Sequence, residues 1–218
     1  MKNPLVTLEI KTSISNWKRF LMATLEEVLK SPDQSVRLKA ALAAGTFPDP
    51  NQIEVLIKQC AMESDFFVRD TLSWALMRHD QKTVVELLKV ELQSQNSQAR
   101  SQALHTLSKI GDKENYALIT RELLLDPDDF LASTAWRSAS VLVPDKDKPE
   151  LVEVLISQLG RGDSDTQFGL TRFLCAIGQA IVAPLMQAAQ STEEVIRTHA
   201  EFTLIRFQEM ELEKVKKS

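Results

Sequence analysis

The 218-residue chain is long enough for one ordinary domain or a short array of repeats. A composition of 44% hydrophobic and 26% charged residues excludes a disordered chain, and six Gly and eight Pro are too few for an all-β fold full of tight turns. A formal charge of −4 excludes a generic nucleic-acid coat while leaving room for a local basic patch.

Cys60 and Cys175 stand far apart without a CxxC partner, which argues against a disulfide framework and for a reducing cytoplasm. The opening MKNPLVTLEI holds no apolar run of signal length, and no stretch reaches the roughly 18–20 apolar residues of a membrane span. A soluble cytoplasmic protein is expected.

In chain order, residues 1–13 read as a flexible leader. From Ser15 the pattern turns helical: Trp17, Phe20, Leu21, Leu25, Val28 and Leu29 recur at three and four residues. Ser31-Pro32-Asp33 stops that helix, a second follows to Ala44, and Gly45 with Phe47-Pro48-Asp49-Pro50 breaks the chain. The unit then repeats. First helices are predicted over 16–30, 52–63, 81–93, 113–125, 149–160 and 180–190. Second helices are predicted over 34–44, 66–79, 97–110, 129–142, 164–177 and 193–208. The tail QEMELEKVKKS, residues 208–218, continues the last helix and becomes strongly charged.

The second helices align in register. Their first buried position (position 0) falls at Val36, Val68, Ala99, Leu131, Thr166 and Ile196, spaced by 32, 31, 32, 35 and 30 residues. Position 4 holds Ala40, Leu72, Ala103, Ala135, Leu170 and Ala200. Position 8 holds Ala44, Leu76, Leu107, Ala139, Leu174 and Leu204. Position 11 holds Phe47, His79, Ile110, Leu142, Ile177 and Phe207. At 100° per residue these four positions share one face, and small residues at position 4 suit close helix packing.

Three residues before position 0 stand Asp33, Asp65, Asn96, Asp128, Asp163 and Glu193, of which five are good N-cap types. One residue after it stand Arg37, Arg69, Arg100 and Arg197, with Ala132 and Gln167 in the other two units. Acid and arginine are expected to pair within and between units as a structural ladder.

A turn acid, then x-Val-Arg, then Ala-x-x-x-Leu closing on Ile-Gly, as in DSDTQFGLTRFLCAIG and NSQARSQALHTLSKIG, resembles HEAT repeats. The unit length is similar to the short bacterial form also seen in bilin-lyase-like (PBS-lyase-like) repeats, and the resemblance covers residues 16 to 208. It implies an all-α, right-handed α-solenoid of about six two-helix repeats with the second helices lining the concave side. It implies no reaction. The expected organisation is a leader over 1–13, a solenoid over 14–208 and a charged helix end over 209–218.

Positions 2, 6 and 9 point away from the buried face. A merely solvated face should carry Lys, Glu and Gln. This one carries Asp70, Trp74 and Met77, then His105, Arg137, Phe168, Arg172 and Phe202. Aromatic residues beside arginines are the material of interface hot spots. Packing of the same side chains against neighbouring units under tight curvature is the alternative. From position 0 to 11 the second helices hold ten Lys and Arg against only Asp70 and Glu201. The six outside the ladder are Lys39, Arg78, Lys109, Arg137, Arg172 and Arg206.

Catalytic patterns are weak. His79, His105 and His199 are spread over three units without an HxxxH or His-Glu pair, so no metal site is expected, and the di-iron hydroxylases built on HEAT repeats are disfavoured. His79 at a core position reads as a satisfied buried histidine. Cys175 faces the groove by phase with no activating His near in sequence. No phosphate-binding loop or nucleophile elbow is present. DFFVRDTLSWALMRHD is similar to a segment of HEAT-like alkylpurine DNA glycosylases, in which Trp74, Trp136, Arg137, Arg172 and Asp70 would hold damaged DNA. The sequence therefore predicts a non-enzymatic scaffold without a cofactor, binding an acidic or apolar protein or peptide in its concave groove. Nucleic-acid binding or glycosylase-like activity is the alternative.

Overall fold

The computed structural model describes residues 24–217, and those residues are helical without a strand. Two compact units divide them, one ending at Val84 and one beginning at Val85. In the first, α1 (Leu25–Leu29) and α2 (Gln34–Thr46) form one hairpin, and α3 (Ile53–Cys60) and α4 (Phe66–Met77) the next. The second helices α2 and α4 pack on each other, as do the first helices α1 and α3. Helix α5 (Gln81–Glu91) carries the chain across the boundary.

The second unit repeats this layering with α6 (Ser97–Ile110), α7 (Arg121–Leu124), α8 (Asp129–Leu142), α9 (Lys148–Ile156), α10 (Ser164–Ile177), α11 (Val182–Ala188) and α12 (Glu194–Lys217). Helices α6, α8, α10 and α12 pack in succession as one row, and α7, α9 and α11 as the other. The charged tail continues α12 to Lys217. The leader over 1–13, with Trp17 and Phe20, lies outside the described residues. Helix α1 starts at Leu25 because Thr24 and Glu27 close a capping box.

The buried face follows the predicted register at position 4 in all six units, whereas Val36, Thr166 and Ile196 at position 0, Leu204 at position 8 and Ile110 at position 11 are half-buried. Val68, Leu72, Leu76 and His79 are buried on α4, and Leu131, Ala135, Ala139 and Leu142 on α8. The alanines Ala40, Ala103, Ala135 and Ala200 are all buried. Phe47 departs from the pattern: it is 77% exposed. Helix α2 ends at Thr46 and Phe47 sits at φ −125°, ψ 74°, so the helical phase no longer applies to it. The predicted first helix over 113–125 is also two pieces, a 3₁₀ segment Lys113–Leu118 and the short α7. The extended Ile119 and Thr120 separate them, and β-branched residues favour that backbone.

Five of the six turn residues are N-caps, with Asn96 accepting from Gln98 and Ala99 N–H. Asp33 accepts from Ser35 N–H, Asp65 from Val68 N–H, Asp128 from Phe130 and Leu131 N–H, and Asp163 from Thr166 N–H. Each satisfies donors that a helix start leaves open. The arginines do another task than pairing with these acids. Arg37, Arg69, Arg100 and Arg197 each donate Nη1–H to the carbonyl six residues upstream, at 2.7–2.9 Å. They thereby close the turn that precedes their own helix. Arg37 and Arg100 also reach a carboxylate 26 residues ahead, Glu63 at 2.8 Å and Asp126 at 3.4 Å. The inter-repeat partner is thus an acid two residues before the cap, which the sequence register did not single out.

Where the arginine is missing, other side chains fill its place. At Ala132 the carbonyl six residues upstream is that of Asp126, and Arg161 donates Nη2–H to it from the following turn. Arg161 also binds Asp129 at 2.8 Å. At Gln167 the amide reaches Gly160 O and Gly162 O at 3.2 and 3.3 Å.

Candidate interaction surface

The free face of the second helices divides by unit. In the first unit α4 presents Asp70, Trp74 and Met77, all half-buried. Trp74 is held there by α2: a Cβ on Gly45 would lie 2.3 Å from the indole ring. Close approach of the ring to a bare backbone explains its burial, and packing of this side chain wins over full exposure. Phe66 and Phe67, at the start of α4, are 64% and 65% exposed and touch edge to face.

In the second unit His105 on α6 is half-buried, Arg137 on α8 and Arg172 on α10 are exposed, and Phe202 on α12 is half-buried. Phe168 on α10 is 53% exposed. Its ring meets Phe202 edge to face with centroids 5.3 Å apart, across the space between α10 and α12. A groove of about 610 Å³ opens there, lined by Ser164, Gln167, Phe168, Thr171, Glu194, Val195, Thr198, His199 and Phe202. That size lies within the range of small-ligand and side-chain pockets.

The floor of the groove is polar and fully paired. Gly160 N–H donates to His199 Nδ1 at 3.0 Å, which places the imidazole proton on Nε2. Nε2–H faces Gln167 O at 3.1 Å and Thr171 Oγ1 at 3.0 Å. Thr171 in turn bonds Thr203 Oγ1, and Thr203 donates to His199 O. The bonds run in one direction around a closed ring and hold a neutral imidazole. Burial pushes the His199 pKa below 6.5 against the opposing effect of the Gln167 carbonyl.

Arg137 and Arg172 have no hydrogen-bond or ion-pair partner among the described residues, unlike Arg206, which binds Glu209 at 2.6 Å. They occupy position 6 of neighbouring helices, and Phe202 occupies position 6 of the third. Both guanidiniums are therefore available to an incoming acceptor. Val195 at 50% and Phe130 at 65% exposure widen this face at its N-terminal edge. They stand at position −1, which shares the free face by phase. Position −1 lies one helical turn before position 2, so the phase of the free face extends to both residues.

Several expected roles are corrected by burial. Trp136 is fully buried; its Nε1–H donates to Leu124 O at 2.8 Å and Arg161 lies over its ring at 5.6 Å. It cannot stack on a nucleic-acid base. Cys175 is buried against Thr203 rather than in the groove, and burial raises its pKa, which is the reverse of nucleophile activation. His79 donates Nδ1–H to Ala75 O at 2.8 Å while its buried Nε2 has no partner among the described residues, so only one ring nitrogen is satisfied by them. Among the described residues no three His, Cys, Asp or Glu side chains gather as metal ligands. No single helix there is long and apolar enough to cross a membrane.

No family model matches the sequence, and no curated protein matches it. Solved helical-repeat structures do match. The karyopherin Kap121p, bound to the extreme C-terminus of the protein phosphatase Cdc14p, superposes with a TM-score of 0.59 at 17% identity over 85% of this chain. This chain spans 23% of that karyopherin. Human deoxyhypusine hydroxylase in complex with glycerol matches at 22% identity and TM-score 0.43, covering 85% of this chain and 73% of that one. The complex of CpcE and CpcF of phycocyanin lyase from Nostoc sp. PCC7120 matches at 18% identity and TM-score 0.36, covering 86% and 89%. The karyopherin superposition carries the fold: HEAT-like helical repeats in an all-α solenoid.

Proposed function

We propose that this chain is a non-enzymatic helical-repeat scaffold that binds a protein segment with apolar and acidic side chains on the free face of its second helices. The observation that carries this reading is the Phe168–Phe202 pair. Two aromatic rings at 5.3 Å flank an open groove, and Arg172, one turn after Phe168 on the same helix, and Arg137 on the neighbouring one have no partner among the described residues. Exposed aromatic surface costs solvation unless a partner covers it, and aromatic and arginine residues dominate interface energetics. The floor beneath is already satisfied by its own hydrogen bonds, so the groove offers apolar walls and rim charge rather than a reactive group. The karyopherin with a similar fold is bound to the C-terminal end of another protein. That likeness supports a peptide as the form of the ligand.

The test is panning of a random peptide library on the immobilised chain and on the Phe168→Ala/Phe202→Ala variant. Peptides enriched on the first and lost from the second support the reading. Equal enrichment on both moves the binding site elsewhere. Retention of single-stranded DNA only at low salt, with no peptide enriched, establishes the phosphate-tracking alternative, because counterion release makes such binding steeply salt-dependent.

A further inference from the structure

We infer that the segment bound by this surface crosses α8, α10 and α12 in extended form, carrying carboxylates at every third residue followed by an apolar residue: acid-x-x-acid-x-x-apolar, in either chain direction. This inference rests on the peptide-binding reading above and specifies its ligand.

The row Arg137–Arg172–Phe202 carries it. The three residues hold the same position on helices that pack consecutively, so they form a line across the helices rather than along one. Packed helix axes lie about 8–10 Å apart. An extended chain advances about 3.3 Å per residue. One step from helix to helix therefore matches about three residues, and only every third side chain of the bound segment falls over the row. Alternate extended side chains point to opposite sides, but a PPII-like chain with three residues per turn at about 3.1 Å rise returns the same side each third residue. It fits both the step and the phase.

Charge sets the order along the line. Arg137 and Arg172 have no partner among the described residues, and arginine forks bind carboxylates with charge-assisted bonds. At the α12 end the exposed Glu201, one residue before Phe202, adds negative charge that disfavours a third carboxylate. The apolar groove between Phe168 and Phe202 instead receives a hydrophobic side chain there. Asp129, Asp165 and Glu194 sit in the first turns of α8, α10 and α12, the first of them paired with Arg161, and keep a carboxylate-bearing segment away from that edge.

The experiment uses synthetic peptides titrated into the full chain by fluorescence anisotropy. One carries Glu at positions 1 and 4 and Leu at position 7. Others of the same composition place these residues two or four apart, and one replaces both Glu by Lys. The inference expects the three-residue spacing to bind about tenfold or more tightly than either shifted spacing. It expects Arg172→Ala to weaken the spaced peptide about fivefold while leaving a peptide with Gln at the middle position unaffected, since removing one partner has no effect where the other is absent. Equal binding of all spacings, still lost in Phe202→Ala, overturns the spacing and leaves the peptide-binding reading intact. Tighter binding of the Lys peptide overturns the charge assignment. No binding by any of these peptides overturns the inference, and peptides enriched from the random library then show whether the broader reading survives it.

Discussion

The indole of Trp74 lies directly on Gly45: a Cβ there would sit 2.3 and 2.7 Å from two ring carbons and 2.9 Å from Ala75 Cα. Glycine in a helix interior normally costs about 1 kcal/mol relative to alanine. Here that cost is offset by an approach no other residue permits. Gly45→Ala is expected to destabilise the chain by about 1–3 kcal/mol through overpacking, read as a lower denaturant midpoint. Gly45→Ala/Trp74→Ala should be less unstable than the sum of the single changes, because removing the ring relieves the clash. A stability gain in Gly45→Ala would show that the ring moves freely.

The Arg37–Glu63 pair ties the first two hairpins, with side chains 13% and 1% exposed. Burial raises the Glu63 pKa, but hydrogen bonds from Arg37, Asp65 N–H and Gln59 outweigh it and hold the carboxyl at about 2. Removing one member of a buried pair strands the other, so Arg37→Ala is expected to cost about 3 kcal/mol or more. The lowered pKa also sets a pH window: this stabilisation is complete above pH 4.5 and is lost as pH falls through that value to about 2. Acid titration of unfolding should show a larger loss in the native chain than in Arg37→Ala, where only Asp65 N–H and Gln59 still hold the carboxylate.

His199 titrates in a separate window. Its native pKa is depressed below 6.5 and its Nδ1 already accepts from Gly160 N–H. The unfolded chain therefore binds this proton first. Stability is full above pH 6.5 and falls as pH drops through 6.5 towards the native value. The difference in unfolding free energy between pH 7.5 and 5.5 should be larger for the native chain than for His199→Ala. Equal differences would show that the hydrogen-bonded ring does not hold the neutral form.

Trp136 is expected to behave as core. Trp136→Ala should cost about 3–5 kcal/mol, and Trp136→Phe should still lose the bond to Leu124 O. In Trp17→Phe/Trp74→Phe, where Trp136 is the remaining indole, acrylamide should quench the native fluorescence only weakly. A quencher-accessible Trp136 would return it to the free face.

The second-helix register was legible because apolar or small residues repeat at 0, 4 and 8, with position 4 buried in all six units and N-cap residues fixing five of the six starts. The first helices were less so. They are short, and Ile119-Thr120 splits one of them into pieces whose periodicity is too brief to read. The arginine contacts were half legible. Arg37, Arg69, Arg100 and Arg197 announce a ladder, but substitution of Arg161 for the missing arginine at Ala132 depends on a turn 29 residues later in the chain. On the free face, phase placed Phe168 and Phe202 on neighbouring helices. It could not show that their rings meet, that Trp74 finds a glycine to lie on, or that Trp136, one position before the free face, turns wholly inward.

The central claim is that the Phe168–Phe202 groove binds a peptide without itself being needed for folding. Calorimetric titration of a library-selected peptide into the native chain and into Phe202→Ala, with denaturant unfolding of both, tests it most directly. Hot-spot truncation costs 2 kcal/mol or more, so the account predicts an affinity loss of about thirtyfold with a two-state transition retained. Unchanged affinity in a folded Phe202→Ala chain would contradict it.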